Sequence, residues 1–158
     1  MTVTVRPIRR EDAESITGMT KEFGAYLISL GDPWAENFSE ARFLEDGFGL
    51  EPAFGGFIAE EAEKPQEVVP LGYLLHTPTY DSDLACRVLF VIDLWVRPWT
   101  RRLGVGRKLM DAAADLGKQR NCGYLLWSVF KPNTLARQFY DRLGGKETAE
   151  LDWMTLKL

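Results

Sequence analysis

The sequence predicts a mixed α/β domain, with antiparallel strands in its first half and one parallel crossover in its second. Three observations carry this prediction. Segments 2–8, 54–60 and 68–76 have strand character, and the last two lie close enough in the chain to form a hairpin. Two continuous apolar runs, 88–96 and 124–130, are separated by a segment of helical period, which makes a strand–helix–strand unit and hence a parallel pair. Between the first run and that helix lies Arg97-Pro98-Trp99-Thr100-Arg101-Arg102-Leu103-Gly104-Val105-Gly106-Arg107-Lys108-Leu109, a turn with five cationic side chains and no acidic one. Such a turn presents free backbone N–H groups at the positive end of a helix dipole, and its glycines admit close approach of a ligand. It predicts an anion site, most naturally for phosphate.

The elements follow in order. Residues 2–8 alternate, and Pro7 places that strand at a sheet edge. Arg10-Glu11-Asp12 opens a helix, in which Ile16, Met19, Phe23, Tyr26, Leu27 and Leu30 form one apolar stripe before Gly31-Asp32-Pro33 ends it. Trp34 to Phe38 is a loop, and Asn37 or Ser39 suits the cap of a short second helix ending near Asp46-Gly47. The predicted hairpin carries a charged loop at 61–67, and residues 77–85 read as a polar connection containing Asp81 and Asp83. After the basic turn, Leu109, Met110, Ala112, Ala113 and Leu116 define the inner face of a helix ending near Asn121-Cys122-Gly123. The run 124–130 predicts a strand buried on both faces. Asn133 caps a last helix whose inner face is Leu135, Ala136, Phe139, Tyr140 and Leu143, closed by Gly144-Gly145, and 151–158 alternates as a final antiparallel strand.

Composition narrows the function. The 158 residues suit a single domain spanning 1–158 that needs no metal or disulfide to build a core. A hydrophobic share of 46% with 27% charged residues is ordinary for a soluble globular protein, and neither a membrane-length apolar run nor a signal-peptide pattern is present. Cys86 and Cys122 match no metal or redox spacing, so the expectation is a reduced, cytoplasmic protein without metal. A net charge of −4 argues against general nucleic-acid binding. Between Glu36 and Glu67 nine acids face only Arg42 and Lys64, which suits either a cationic ligand or a solvated surface.

The type of phosphate site can be argued from what the turn lacks. A P-loop needs Gly-Lys-Ser/Thr, and Gly106-Arg107-Lys108-Leu109 offers no hydroxyl for a metal. A dinucleotide fingerprint needs a third glycine where Leu109 stands. The pattern Arg/Gln-x-x-Gly-x-Gly/Ala is matched by Arg101-Arg102-Leu103-Gly104-Val105-Gly106, and this resembles the pyrophosphate loop of the GNAT superfamily of N-acetyltransferases. The Asn133 helix start and Phe139-Tyr140 before Leu143-Gly144-Gly145 are similar to that superfamily's second signature. Phe43-Leu44-Glu45-Asp46-Gly47-Phe48-Gly49, Thr79-Tyr80-Asp81 and the 89–96 strand with Asp93 are similar to the spermidine/spermine and thialysine N-acetyltransferase group.

The resemblance implies a GNAT-like fold: a mostly antiparallel central sheet with one parallel, splayed strand pair and flanking helices. It implies acetyl-CoA as cosubstrate and direct transfer to a primary amine, a small cationic one that is polyamine- or amino-acid-like. The pantetheine arm would run along Leu94, Trp95 and Val96, the pyrophosphate would sit on Arg101, Arg102, Leu103, Gly104, Val105, Gly106 and Arg107, and Asn133 would contact the cofactor. Tyr140 would protonate the leaving thiolate, although spacing alone fits a core tyrosine equally well. The polyamine-acetylating relatives carry a glutamate where this chain has Ile92. That leaves Asp93 as base or water-orienter, or as a structural carboxylate at the strand splay. A strand bulge is needed to turn it to the working face. Tyr26, Trp34 and Asp81 are candidate acceptor-binding residues, while His76, the only histidine, reads as a packed ring. The resemblance implies a homodimer. Two alternatives stay open: acetylation of a protein lysine or N-terminus, and a CoA-binding module left without catalysis by Ile92.

Overall fold

A computed structural model describes residues 2–33, 39–61, 68–148 and 153–157. Five strands form one sheet in the order β1 (Val3–Pro7), β2 (Gly55–Glu61), β3 (Pro70–Asp81), β4 (Cys86–Val96) and β5 (Cys122–Trp127). The first three pairings are antiparallel and β4–β5 is parallel, as the strand–helix–strand unit predicted. Pro7 indeed lies on an edge strand. Four helices flank the sheet: α1 (Ala13–Ser29), α2 (Glu40–Phe48), α3 (Val105–Gln119) and α4 (Thr134–Leu143).

Each face of the sheet builds its own core. On one face α3 buries Val105, Leu109, Met110 and Ala113 against Ala59, Leu71, Leu74, Leu89 and Val91, with Phe139 and Tyr140 of α4 at the margin. On the other, α1 and α2 bury Ala13, Ile16, Met19 and Phe43 against Ile58, Tyr73, Leu75 and Trp95. Leu74 and Leu75 pack into opposite cores because successive strand side chains alternate between faces. Arg6 ties the start of α1 to the edge of the sheet by a bidentate pair with Asp12 (both contacts 2.8 Å) and a second pair with Glu60. The Arg6 guanidinium beside Asp12 holds that carboxyl below its usual range despite partial burial.

Caps set the helix limits. Ser39 Oγ accepts from the Arg42 N–H (3.2 Å) at the start of α2, and Asn133 Oδ1 accepts from the Ala136 N–H (3.1 Å) at the start of α4. The alternative cap, Asn37, lies outside the described residues, as does Trp34. Gly144 closes α4 at φ +84, a left-handed residue, with Gly145 N–H bonded to the Tyr140 carbonyl at 3.0 Å.

Four expectations are corrected. The polar stretch 77–81 is not a connection but the outer half of β3, paired with 86–90 of β4, because the backbone ladder continues whether or not its side chains are apolar. Residues 122–127 form an edge strand with partly exposed side chains rather than one buried on both faces, since nothing among the described residues pairs with its free side. Residues 153–157 form no strand; Trp153, Met154 and Leu156 are largely exposed, with Trp153 resting 6.1 Å from the Phe90 ring. The inner face of α4 is also narrower than predicted, as Leu135 is exposed.

His76 is buried beside Phe57, and Gly55 leaves room for its ring. Burial and the nearby Arg120 lower its pKa from 6.5 to about 4. The unfolded chain therefore takes up a proton on this ring at a higher pH than the folded one. Stability is fully present above pH 6.5 and falls as the pH drops toward 4, by on the order of 3 kcal/mol across that window. Urea unfolding of wild type and His76→Leu at pH 7.5 and 4.5 checks this. The wild type should lose stability relative to the variant at the lower pH; parallel losses in both would assign the acid sensitivity elsewhere.

Candidate functional site

The site begins where β4 and β5 part. Their pairing runs from Arg87↔Cys122 to Val91↔Trp127 and stops, while β4 continues to Val96 bonded to β3 alone. The backbone of 92–96 on the side facing away from β3 is left without a strand partner. A cavity of about 1310 Å³ opens along it, lined by residues 91–96 of β4, 127–130 after the divergence, the basic turn, and Asn133, Phe139 and Tyr140.

At this point β4 carries a bulge. Leu75 pairs with Asp93 and His76 with Val91, so Ile92 is an extra residue without a counterpart. Without it, Val91 and Asp93 would share a face. With it, Val91 packs toward α3 while Asp93 turns to the α1–α2 face, alongside Tyr73 and Leu75. The bulge that sequence reasoning named as a condition is present. Ile92 is itself 39% exposed and lines the cavity beside Asp93.

Asp93 lies in a largely apolar setting with the Tyr73 hydroxyl 3.5 Å from Oδ2. Burial pushes its carboxyl up, and the Tyr73 contact partly offsets this. Tyr73 is fully buried, and its phenol is pushed well above its ordinary value by burial and by Asp93. Tyr140 stands across the same cavity, packed against Trp127 (4.9 Å between centroids) and Phe139 (5.3 Å). Burial first and then the Asp93 charge push the Tyr140 phenol up to about 12, so it keeps its proton throughout the physiological range. Two titratable groups thus face one cavity, a carboxylate and a phenol that electrostatically sense each other.

The turn after β4 supplies the anion-seeking end. Gly104 adopts φ +81 and Arg102 φ +64, and this left-handed pair swings the chain into α3. The first α3 residue whose N–H reaches a backbone acceptor is Lys108, bonded to the Gly104 carbonyl at 3.0 Å. The N–H groups of Val105, Gly106 and Arg107 precede it without an intrahelical partner. Gly106 lets α4 come close: a Cβ there would lie 3.1 Å from the Phe139 ring.

The five cations of the turn divide. Arg97 is held by Glu22 of α1 (Nη2–Oε1 2.9 Å) and by the Pro70 carbonyl, and Lys108 Nζ donates to the Val3 carbonyl at 3.1 Å, so both serve the fold. Glu22 also accepts from the Trp95 indole (3.3 Å), which fixes that ring against Phe23 and Tyr26. Arg101 turns inward: Nε donates to the Val96 carbonyl at 3.1 Å, and its guanidinium lies 4.9 Å from the Trp95 ring centroid and 5.3 Å from that of Tyr26. Arg102 and Arg107 line the cavity, whereas Leu103 is exposed outside it.

Of the predicted site residues, Leu94, Trp95, Val96, Arg101, Arg102, Gly104 to Arg107, Asn133, Asp93 and Tyr140 are brought together around this one cavity. Tyr26 joins them too: its hydroxyl donates to Asn133 Oδ1 at 3.0 Å, which places it in the large cavity, bridging α1 and α4. Asp81 is elsewhere. It sits at the tip of the β3–β4 hairpin, away from the cavity, where it accepts from the Tyr124 hydroxyl and from the Asp83 and Leu84 N–H groups. Sequence reasoning did not find Tyr73 and Glu22. The first sits in an apolar strand and the second on the polar side of a helix, and neither position carries a local signal.

A smaller cavity of about 320 Å³ adjoins the bulge on the α2 side, lined by Arg42, Asp46, Phe54, Leu75, Ile92 and Asp93. Ile92 and Asp93 line both cavities. The described residues contain no group of three or more His, Cys, Asp or Glu side chains able to hold a metal ion.

Comparison with known proteins gives the family and the fold. The sequence profile described as the Acetyltransferase (GNAT) family matches residues 19–145. The chain is 28% identical over 153 residues to a thialysine N-epsilon-acetyltransferase of Sus scrofa, covering 95% of this chain and 88% of that one. It is 31% identical over 96 residues to an L-ornithine N5-acetyltransferase of Arabidopsis thaliana, covering 61% and 41%. Among solved structures, an aminoglycoside N-acetyltransferase in complex with CoA superposes with a TM-score of 0.74 at 20% identity, covering 99% of this chain and 96% of that one.

Asn133 Oδ1 serves both as the α4 cap and as acceptor for Tyr26. Asn133→Ala should cost about 1–2 kcal/mol in urea unfolding, and Tyr26→Phe less, about 1 kcal/mol. The double variant should cost less than the two summed; strict additivity would mean that the two residues are not coupled.

Proposed function

The chain belongs to the GNAT family of acetyltransferases, and on that premise we propose that it transfers the acetyl group of acetyl-CoA directly to a small cationic primary amine. The observation that carries this reading is the bulge at Ile92, which turns Asp93 into the joint wall of two cavities while Tyr140 faces it from α4. One cavity has the size, the unpaired strand edge and the cationic turn suited to CoA. The other has the size of a small acceptor.

The residues present fit the cosubstrate. Unpartnered N–H groups at the start of α3, with Arg102 and Arg107 beside them, suit a pyrophosphate. The free edge of 92–96 suits the amide-bearing pantetheine arm, with Arg101 already bonded to the Val96 carbonyl at the end of that edge. When bound, acetyl-CoA supplies a thioester whose carbonyl carbon takes up an amine nitrogen as the sulfur leaves. The share of the protein lies in the proton traffic. An alkylammonium near neutral pH must lose a proton, at a cost of about 4 kcal/mol. Asp93, raised by burial yet open to both cavities, receives that proton directly or through one water. Tyr140, protonated up to about pH 12, donates to the departing sulfur. Neither role requires a covalent enzyme intermediate. Relatives named for acting on thialysine and ornithine support a small amine as acceptor. A cytoplasmic homodimer belongs to the same proposal, and sedimentation of the purified protein tests its dimeric part.

The direct test measures CoA release from acetyl-CoA with a panel of polyamines, diamines, amino acids, aminoglycosides and lysine peptides. Tyr140→Phe and Asp93→Asn should each lower kcat by about 10²–10⁴-fold with little change in the KM for acetyl-CoA. Retention of half the wild-type rate in either would remove that residue from the chemistry. The kcat/KM should fall on acidification as Asp93 protonates, at a pH above the ordinary 3.8 of an aspartate, because the folded carboxyl is raised. It should show no loss up to about pH 10 attributable to Tyr140.

A further inference from the structure

The cavity on the α2 side has a mixed electrostatic character that a plain amine site does not need. Its acidic groups, Asp93 from β4 and Asp46 from α2, suit an ammonium. It is also lined by Arg42, one helical turn before Asp46. The Arg42 guanidinium is only weakly engaged: its Nη1 lies 3.4 Å from Glu45 and 3.9 Å from Asp46, with 63% of the side chain exposed. Exposed pairs of that length contribute little, and a guanidinium has five N–H donors in a fork that matches a carboxylate. Phe54, Leu75 and Ile92 make the rest of the lining apolar, which suits a short methylene chain.

We infer that Arg42 selects acceptors bearing a carboxylate, so that the substrate class is an amino acid with a primary amine on its side chain rather than a diamine or polyamine. The carboxylate pairs with Arg42, an α-ammonium beside it meets Asp46, and the side-chain amine extends along Leu75 and Ile92 toward Asp93. A diamine of the same length has no group for Arg42 and brings a like charge toward it. Arg42 is a specificity residue here, remote from the bonds that form and break. This inference rests on the acetyltransferase reading above and on the α2-side cavity being the acceptor's.

The test compares lysine with pentane-1,5-diamine, which keeps the chain and the amines and lacks the carboxylate, and ornithine with butane-1,4-diamine in the same way. Wild type should favour the amino acid of each pair in kcat/KM. Arg42→Gln should raise the KM for the amino acids tenfold or more, leave their kcat within a factor of about two, and lower the KM for the diamines, so that the amino acid to diamine ratio falls. Arg42→Glu should reverse the preference. Because Arg42 is exposed, unfolding curves of both variants should overlay the wild type, which separates a specificity effect from misfolding. An unchanged amino acid to diamine ratio in Arg42→Gln, or a wild type that favours the diamines or acts only on other amines, overturns the inference and leaves the acetyltransferase reading standing. Absence of CoA release with every amine overturns both.

Discussion

Past Val91, β4 has one hydrogen-bonded neighbour instead of two, and a single extra residue, Ile92, sits at that transition. The loss of β5 leaves a row of backbone groups facing open space, and the bulge turns the remainder of β4 by one face. Both effects come from the same short segment. The large cavity exists because the strands diverge there. The carboxylate of Asp93 reaches its wall because the bulge moves it off the face of Val91 and onto that of Tyr73 and Trp95. Remaining parts of the site are arranged around this edge: the turn after β4, the helix α3 it launches, and α4 with Tyr140 opposite.

The two packed faces hold that edge in place from both sides. Leu109, Met110 and Ala113 press α3 on one face, so the N-terminus of α3 points at the divergence. On the other, Glu22 of α1 clamps Trp95 and Arg97 together, which fixes the end of β4 against α1. Tyr26 reaches from α1 to Asn133 at the start of α4, so the two faces are joined across the cavity mouth. Cations counted in the turn therefore differ in use. Arg97 and Lys108 hold elements together, Arg101 lies over the Trp95 ring, and Arg102 and Arg107 line the large cavity.

Among the described residues, Asp93 has one long polar side-chain contact, from the Tyr73 hydroxyl, and is otherwise shielded by burial. Such a carboxyl is poised closer to neutrality than a surface aspartate, which is unfavourable for stability and suited to proton exchange. Its position between a large cavity with a cationic mouth and a small one with Arg42 and Asp46 gives the two cavities a common wall. The acidic stretch of the sequence, 36–67, includes Asp46 among its charges, while Arg42 is one of only two cations there. Asp81 is instead committed to a hairpin turn.

Local patterns in the sequence determined the order of elements as far as α4, the parallel pair, the Asn133 cap, a choice of Asn37 or Ser39 for the cap of α2, the glycine stop of α4 and the basic turn before α3. Each depends on a few neighbouring residues, so each is written in neighbouring letters. The resemblance to one loop and one helix made Tyr140 and Asp93 candidates, and both line the large cavity. Tertiary structure alone decided three things. It decided that a bulge falls at Ile92, because an apolar run has no period to reveal a slipped register. It decided which arginines are spent on the fold, because that depends on Glu22, Pro70 and Val3, far away in the chain. And it decided that Arg42 shares a cavity with Asp93, since residues so distant in sequence meet only when α2 packs on the sheet face to which Asp93 turns.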